Sequence, residues 1–411
     1  MKLSFQQAAN SALAYTHQLI TAYGPRLAGT KNCLQAASHL RDRLANVCGK
    51  ADLEHFTTRP GVFNGFFLIE PTLYILFSLV ALLGHIQIAA LGILLTIVYG
   101  FLQFGYYKEY FGFLFPKRTC ANVIASLEPI KRVEQQILLS GHHDSAYEMR
   151  MLRSHQRFYG LKIILPDIAI MTGLVAALLW LGIEWTTGKT PEIAIGLQLF
   201  WLLSIPVAGT KFFMVGTKGT PGAGDNLISS AMLVEFAKFF AADSGISSLQ
   251  HTRLKFVSFD AEEAGLRGAR SFAENHLREL TCLPTYLLNM DSIYKVSELK
   301  FLISDLNHTV KLDKTLASLC LQTAHQAGYP AQLSTMKFGG GSTDAAELAK
   351  IGVHCTTLLA MPTDLIRSGM VYHTMQDLPE AIEPLAVQAC LEVLHNVVIH
   401  LDQNISYDSL G

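Results

Sequence analysis

The residues best suited to chemistry are Glu262 and Glu263, within Phe259-Asp260-Ala261-Glu262-Glu263-Ala264-Gly265. Phe256 to Phe259 are apolar or small and read as a buried strand, and Gly265-Leu266-Arg267-Gly268 opens a helix. A strand end that delivers two adjacent carboxylates into a strand-to-helix turn suits metal-assisted hydrolysis. One carboxylate can ligate a metal while its neighbour handles protons. A solvated acidic helix start, favoured by the helix dipole, needs no metal. The remaining ligands must therefore be found elsewhere in the chain.

Four other stretches supply candidates. Gly141-His142-His143-Asp144-Ser145 follows the apolar run Ile137-Leu138-Leu139. In an extended chain His142 and Asp144 point the same way and His143 points opposite, so Asp144 can orient a ligating His142; a polar turn is the plainer reading. Asp225, in Gly222-Ala223-Gly224-Asp225-Asn226, is either the N-cap of the helix that follows or a carboxylate presented from a glycine-rich loop to bridge two metals. Asp291 ends the apolar strand Tyr286–Met290, the place where α/β sheets put their sites; a cap or turn residue fits equally. His373 lies in a loop before the last helix and is unremarkable alone.

The elements that must position these groups read as α/β. Helical spacing covers Phe5–Ala22, Asn32–Val47, Leu227–Phe240, Arg267–His276, Leu312–Ala327, Thr343–Ile351 and Pro379–His400. Strand patterns cover Ala51–Thr57, Asn122–Leu127, Gln136–Ser140, Leu254–Phe259, Thr285–Met290, Phe301–Ile303 and Cys355–Leu359. Alternation of the two predicts a mixed sheet with helices on both faces, a three-layer αβα arrangement. The chain has 411 residues, 16% charged and 50% apolar, with net charge -1. No basic excess points to nucleic acid. The seven cysteines are scattered without a CxxC pair and read as reduced core thiols, not as a disulfide framework or zinc cluster. Met1–Ile20 carries Gln, Asn and His among its apolar residues, unlike the apolar core of a signal peptide.

Two uncharged apolar blocks interrupt the pattern. The first, within residues 66–107, has arms Thr72–Leu83 and Ile86–Phe104 broken at Gly84-His85. The second, within residues 162–214, has arms Ile168–Ile183 and Ile193–Ala208, with Trp185 where an interfacial aromatic is expected. Each reads as an inserted membrane hairpin, giving four transmembrane helices in all, although the first arm is short against the roughly 20 residues of a span.

Taken in order, these motifs resemble a known family. The chain is similar to the co-catalytic di-zinc aminopeptidases of metallopeptidase family twenty-eight, of the aminopeptidase Y and bacterial leucyl aminopeptidase type. The matching stretches are Gly24-Pro25-Arg26-Leu27-Ala28-Gly29-Thr30, His142-x-Asp144-Ser145, Gly222 to Asn226, Phe259 to Gly268, Asn289-Met290-Asp291 and Tyr372-His373-Thr374. The resemblance implies a single zinc-peptidase domain over residues 1–411 and two Zn2+ ions. His142 and Asp291 would hold one ion, Glu263 and His373 the other, and Asp225 would bridge them. Glu262 would be the general base and Asp144 would orient His142. The substrates implied are peptides with a free N-terminus. Gly339-Gly340-Gly341-Ser342-Thr343-Asp344 matches the family's glycine-rich Ser-Asp loop only loosely, and the family pattern has no apolar hairpins. Two other readings compete: a glutaminyl-cyclase-like transferase working with one zinc, and an inactive membrane scaffold on the same fold, which should have lost ligands that are all present here.

The charges flanking the hairpins give an orientation. Each hairpin crosses an even number of times, so its flanks share one side. Lys108, Lys117, Arg118, Arg150, Arg153, Arg157, Lys162, Lys211 and Lys218 fall on the catalytic flanks, and the outer turns carry only Lys189, beside Glu184 and Glu192. Lys and Arg accumulate on the cytoplasmic side, so the catalytic domain is expected to face the cytoplasm. Asp167, beside Pro166 at the start of the third arm, is expected at the membrane interface, as an ordinary turn residue in preference to a functional intramembrane acid. On intact cells a cysteine placed at Thr187 should react with an impermeant maleimide and one at Gln403 should not. The opposite pattern overturns the orientation.

Overall fold

The computed structural model describes residues 4–153, 156–243, 245–337, 339–362 and 369–405. Its centre is an eight-stranded mixed sheet. The strands are β1 Ala51–Thr58, β2 Arg118–Leu127, β3 Gln135–His142, β4 Thr252–Phe259, β5 Thr285–Ile293, β6 Leu299–Leu302, β7 Gln332–Ser334 and β8 His354–Ala360. They lie in the order β1-β2-β4-β3-β5-β8-β6-β7. The central strands β4, β3, β5 and β8 are mutually parallel, and β2 and β6 flank them antiparallel. β3 is buried along its whole length, as a parallel strand covered on both faces must be.

Helices complete the two outer layers. On one face lie α1 Phe5–Tyr23, α2 Lys31–Cys48, α7 Ile228–Phe240, α9 Lys314–Gln326 and α11 Pro384–Gln403, sharing a large core with the sheet. On the other lie α8 Arg267–Asn275 and α10 Ala345–Ala349. The ends of these helices are set locally. Ser4 and Gln7 form a capping box at α1, and Thr30 and Asp313 cap α2 and α9. The expected αβα layering is therefore present. The edge strand β7 was not anticipated, because three residues after the Tyr329-Pro330 turn are too few to show an alternation. Of the cysteines, Cys282 departs from expectation: it ends a short surface helix and is exposed, whereas the other six are buried.

The two apolar blocks form four more helices: α3 Gly61–Leu82, α4 Ile86–Gly100, α5 Tyr159–Thr187 and α6 Ala194–Gly209. With α11 they make up the five helices, among the described residues, that are long and apolar enough to cross a membrane; α11 belongs to the core of the sheet. The arm expected to be short is a continuous helix of 22 residues, because Glu70 and Pro71 lie inside it rather than at its entrance. The four helices pack in a closed square, α3 on α4, α4 on α5, α5 on α6 and α6 on α3. Inside it, the Tyr74 hydroxyl lies 2.6 Å from Ser204 Oγ, and Trp201 donates to the Gly173 carbonyl at 3.2 Å. A side chain at Gly173 would begin 2.6 Å from the Tyr74 oxygen. The outer faces expose Leu76, Leu91, Leu95, Val175, Leu178 and Leu203.

One end of this bundle adds to one expectation and corrects another. Lys211, counted among the charges of the catalytic flank, is buried. It is 2% exposed and ion-paired with both Glu70 of α3 and Asp167 of α5, with the Phe66 ring 4.8 Å from its ammonium. Asp167 accordingly lies within a helix and not at a turn. A buried cation needs such partners, and the Glu70 and Lys211 positions are 141 residues apart, beyond the reach of local charge counting. The second hairpin is closed at its base by a ribbon, Tyr147–Met149 antiparallel to Val215–Gly219.

Candidate metal centre

Parallel strands deliver the site residues to one end of the sheet. His142 is the last residue of β3, Glu262 and Glu263 follow β4, and Asp291 lies near the end of β5. Asp225 sits in the turn before α7, and His373 in the loop between β8 and α11 with φ 53°. Two glycines let these segments approach. A side chain at Gly141 would begin 2.6 Å from Ser229 Cβ of α7, and one at Gly224 would begin 2.2 Å from the Tyr294 ring.

All the residues singled out in the sequence come together. His142 Nε2 lies 3.4 Å from Asp225 Oδ1 and 3.6 Å from Glu262 Oε2. His373 Nε2 lies 3.0 Å from both Asp225 Oδ2 and Glu263 Oε1. Asp225 thus stands between the two histidines. Ligand atoms of His142, Glu262 and Asp291 fall within 4.8 Å of one another, as do those of His142, Asp225 and Glu263. Glu262 therefore faces the His142 and Asp291 side of the cluster, and Glu263 the His373 side.

Asp144 does more than the expected orientation of His142. One of its oxygens is 3.3 Å from His142 Nδ1. Its two oxygens also accept from the Glu262 and Glu263 backbone N–H groups, each at 3.2 Å. One carboxylate thus fixes both the histidine and the turn carrying the paired glutamates.

Other supports were not singled out in the sequence. Asp377 accepts from the Gly224 and Asp225 N–H groups at 2.8 and 3.3 Å and holds the Asp225 turn. The buried guanidinium of Arg26 donates to the carbonyls of Gly24, His143 and Gly222, tying together the segments that carry His142 and Asp225. Asp344 is fully buried and neither carboxylate oxygen has a hydrogen-bond partner among the described residues. Arg26 and Asp344 lie in motifs legible in the sequence, but the bonds of Arg26 to His143 and Gly222 span 117 and 196 residues.

The electrostatics are those of too many acids in too little water. Burial pushes the Asp291 carboxyl up to about 8, with Asp225 adding to it. Glu263 is raised to about 7 by burial, partly offset by His373. Glu262 and Asp344 are pushed well above the usual carboxylate range by burial, against the opposing pull of His142. Burial acts to raise Asp225 too, but the adjacent His142 and His373 rings outweigh it and hold it low. Burial lowers both histidines, yet the carboxylates win: His142 is raised well above its ordinary value, chiefly by Glu262, and His373 to about 10, chiefly by Glu263. So many acids in one buried place must be neutralised by protons or by cations. The donor set fits a metal: carboxylate and imidazole are zinc ligands. Among the described residues, both His142 ring nitrogens and Asp225 Oδ2 are buried without a well-formed hydrogen bond.

Residues 209–398 match the profile of Peptidase family M28. The M28 match begins where the second hairpin ends and takes in Asp225, Glu262, Glu263, Asp291 and His373, with His142 and Asp144 ahead of it. No curated protein sequence matches the chain. Among solved structures it is similar to a zinc aminopeptidase from Bacillus subtilis, at 13% identity and TM-score 0.57, over 97% of this chain and 96% of that one. It is similar to a glutaminyl cyclase from an Acidobacteriales bacterium at 13% identity and TM-score 0.56, over 98% and 97%. A Zn-dependent exopeptidase from Parabacteroides distasonis gives 13% and 0.54, over 95% and 97%. These likenesses show the fold.

The position of Asp225 between the histidines generates a direct expectation. Asp225→Ala should lower bound metal, measured by elemental analysis, by at least one ion per chain and abolish turnover. Asp144→Ala, acting through the turn and the His142 ring, should lose less. Equal metal content in Asp225→Ala and the wild type contradicts a bridging carboxylate.

Proposed function

We propose that this protein is a membrane-anchored zinc aminopeptidase that removes N-terminal residues from peptides, using two zinc ions. The observation that carries the reading is Asp225 flanked by His142 on one side and by His373 and Glu263 on the other. That gives two ligand groups sharing one carboxylate. His142 and Asp291 would hold one ion, Glu263 and His373 the other, with Asp225 common to both. When bound, such a pair lowers the pKa of water and polarises the scissile carbonyl.

The chain's own groups supply the rest. Glu262 is the general base: it accepts a proton from the attacking water and returns it to the departing amine. Asp144 holds the Glu262 backbone and the His142 ring in register, so the base and the ligand cannot drift independently. Asp377 does the same for Asp225. A wall of buried carboxylates favours a substrate that brings a positive charge, and a free α-amine is that charge, which confines cutting to the first residue. The apolar helices α3 to α6 would anchor the domain in the bilayer with the catalytic part on the cytoplasmic side. The ribbon at the base of the second hairpin donates from Met149 N to the His373 carbonyl at 2.8 Å, so the site would lie close to the membrane surface.

A second reading, a glutaminyl-cyclase-like transferase with one zinc, is supported by the fold likeness to glutaminyl cyclases. Metal stoichiometry with a panel of aminoacyl and glutaminyl substrates separates the two. Two zinc ions per chain and aminoacyl hydrolysis are expected; one zinc and glutaminyl cyclisation would establish the transferase. Glu262→Gln should keep its metal while turnover falls by roughly 10²–10⁴-fold. If Glu262→Gln instead empties the site, the roles of Glu262 and Glu263 are exchanged.

A further inference from the structure

The paired glutamates sit on a turn whose backbone is held against its own preferences. Ala261 and Leu266, on either side of them, are left-handed with φ 58° and 63°, a conformation that residues with a side chain keep only when their surroundings impose it. Within the turn, Gly265 N and Leu266 N both donate to the Glu262 carbonyl at 2.8 Å, and Arg267 N donates to the Ala261 carbonyl at 2.9 Å. Asp144 holds the two glutamate N–H groups. What fixes the two ends of the turn lies on a different strand.

The pairing of β2 with β4 runs from Leu127 and Leu254 to Val123 and Ser258 and stops there, just before β4 gives way to the turn. β2 continues against β1, and its next residue towards the turn, Asn122, is fully buried. The Asn122 amide takes the place of the missing ladder. Its Oδ1 accepts from Asp260 N at 3.1 Å, where the turn begins, and its Nδ2 donates to the Gly268 carbonyl at 3.0 Å, where the turn has become α8. One planar group that carries both an acceptor and a donor therefore spans the turn from end to end. At the first end, Ala121 N donates to Asp260 Oδ2 at 2.9 Å and Cys33 Sγ of α2 donates to Asp260 Oδ1 at 3.3 Å. At the second end the closure requires glycine: a side chain at Gly268 would begin 2.2 Å from the Asp260 carbonyl oxygen and 2.5 Å from Asn122 Oδ1.

We propose that Asn122 is a positioning residue for catalysis: by fixing both ends of the glutamate turn it sets where Glu263 meets the metal and where Glu262 meets the attacking water. The proposal rests on the zinc hydrolase reading above. Asn122 exchanges no proton and acts only through the backbone of residues 260–268. Without its amide the left-handed residues are free to relax, and the two carboxylates lose their common frame.

The test compares Asn122→Ala and Asn122→Ser, the second a smaller change that keeps a polar group too short to bridge the turn, with wild type in full-length protein in detergent. Gln136→Ala is the control. Gln136 is equally buried and clasps the Glu279 carbonyl and Thr285 Oγ1 at 3.1 and 2.9 Å, at the end of β3 opposite His142. Zinc affinity by chelator competition, the melting temperature of the metal-free protein, and kcat and KM on aminoacyl and glutaminyl substrates are measured. Both Asn122 variants should bind zinc more weakly by roughly 10–100-fold and lose kcat by a similar factor with KM little altered. Gln136→Ala should lower the melting temperature while zinc affinity and kcat stay at wild-type values. Wild-type zinc affinity and kcat in Asn122→Ala overturn the proposal. Equal losses in Gln136→Ala overturn it too, and so does failure of both Asn122 variants to fold, since Asn122 would then be a packing residue. If the wild type turns over neither substrate class, the proposed reaction falls and the zinc affinities alone decide Asn122. A wild type that binds no zinc overturns both.

Discussion

Six carboxylates, those of Asp144, Asp225, Glu262, Glu263, Asp291 and Asp344, are gathered at one end of the sheet around His142 and His373. In a poorly solvated site, like charges at this spacing cannot all ionise. The cluster holds together only with protons or cations among its members, and its pattern of raised and lowered carboxyl groups follows from that constraint. The surrounding structure is arranged to keep the groups in place despite their repulsion. Asp144 accepts from the backbone of the glutamate turn, Asp377 from the backbone of the Asp225 turn, and Arg26 clamps three carbonyls. In each case a charge is spent on the main chain, so the acids in the centre remain available.

The hairpins enter the fold at points that the same cluster depends on. The first leaves after β1 and returns through Tyr107 against the glutamate turn. The second leaves after His142 and returns before Asp225, and its basal ribbon bonds to the backbone of His373. Their four helices meet in one bundle whose end is tied by Glu70, Lys211 and Asp167. Burying Glu70 and Lys211 is costly unless they are paired, and with the half-exposed Asp167 they couple α3 and α5 across the two insertions.

Much of the site was legible in the sequence because strand ends and loop motifs are local. Glu262-Glu263 after an apolar run, His142-x-Asp144 after another, and Asp291 at the end of a third all lie where those patterns placed them. His373 is different in kind. Nothing around it marks it, and it became meaningful only as the last member of an ordered set; in the fold it meets Glu263 across 110 residues. Asp377 and Arg26 act through contacts with distant backbone, which no local pattern encodes. The pairing of Lys211 was hidden for the same reason, since its partners Glu70 and Asp167 lie in other helices. The αβα layering followed from periodicity, while the three-residue strand β7 is too short to have one.

The central claim is that the carboxylate and histidine cluster holds a pair of zinc ions through Asp225. Zinc-edge X-ray absorption of the zinc-loaded protein tests it most directly. The account predicts nitrogen and oxygen neighbours only, together with a metal-to-metal distance of about 3.5–4 Å. A spectrum with no metal-to-metal scattering, or with sulfur in the coordination shell, would contradict it.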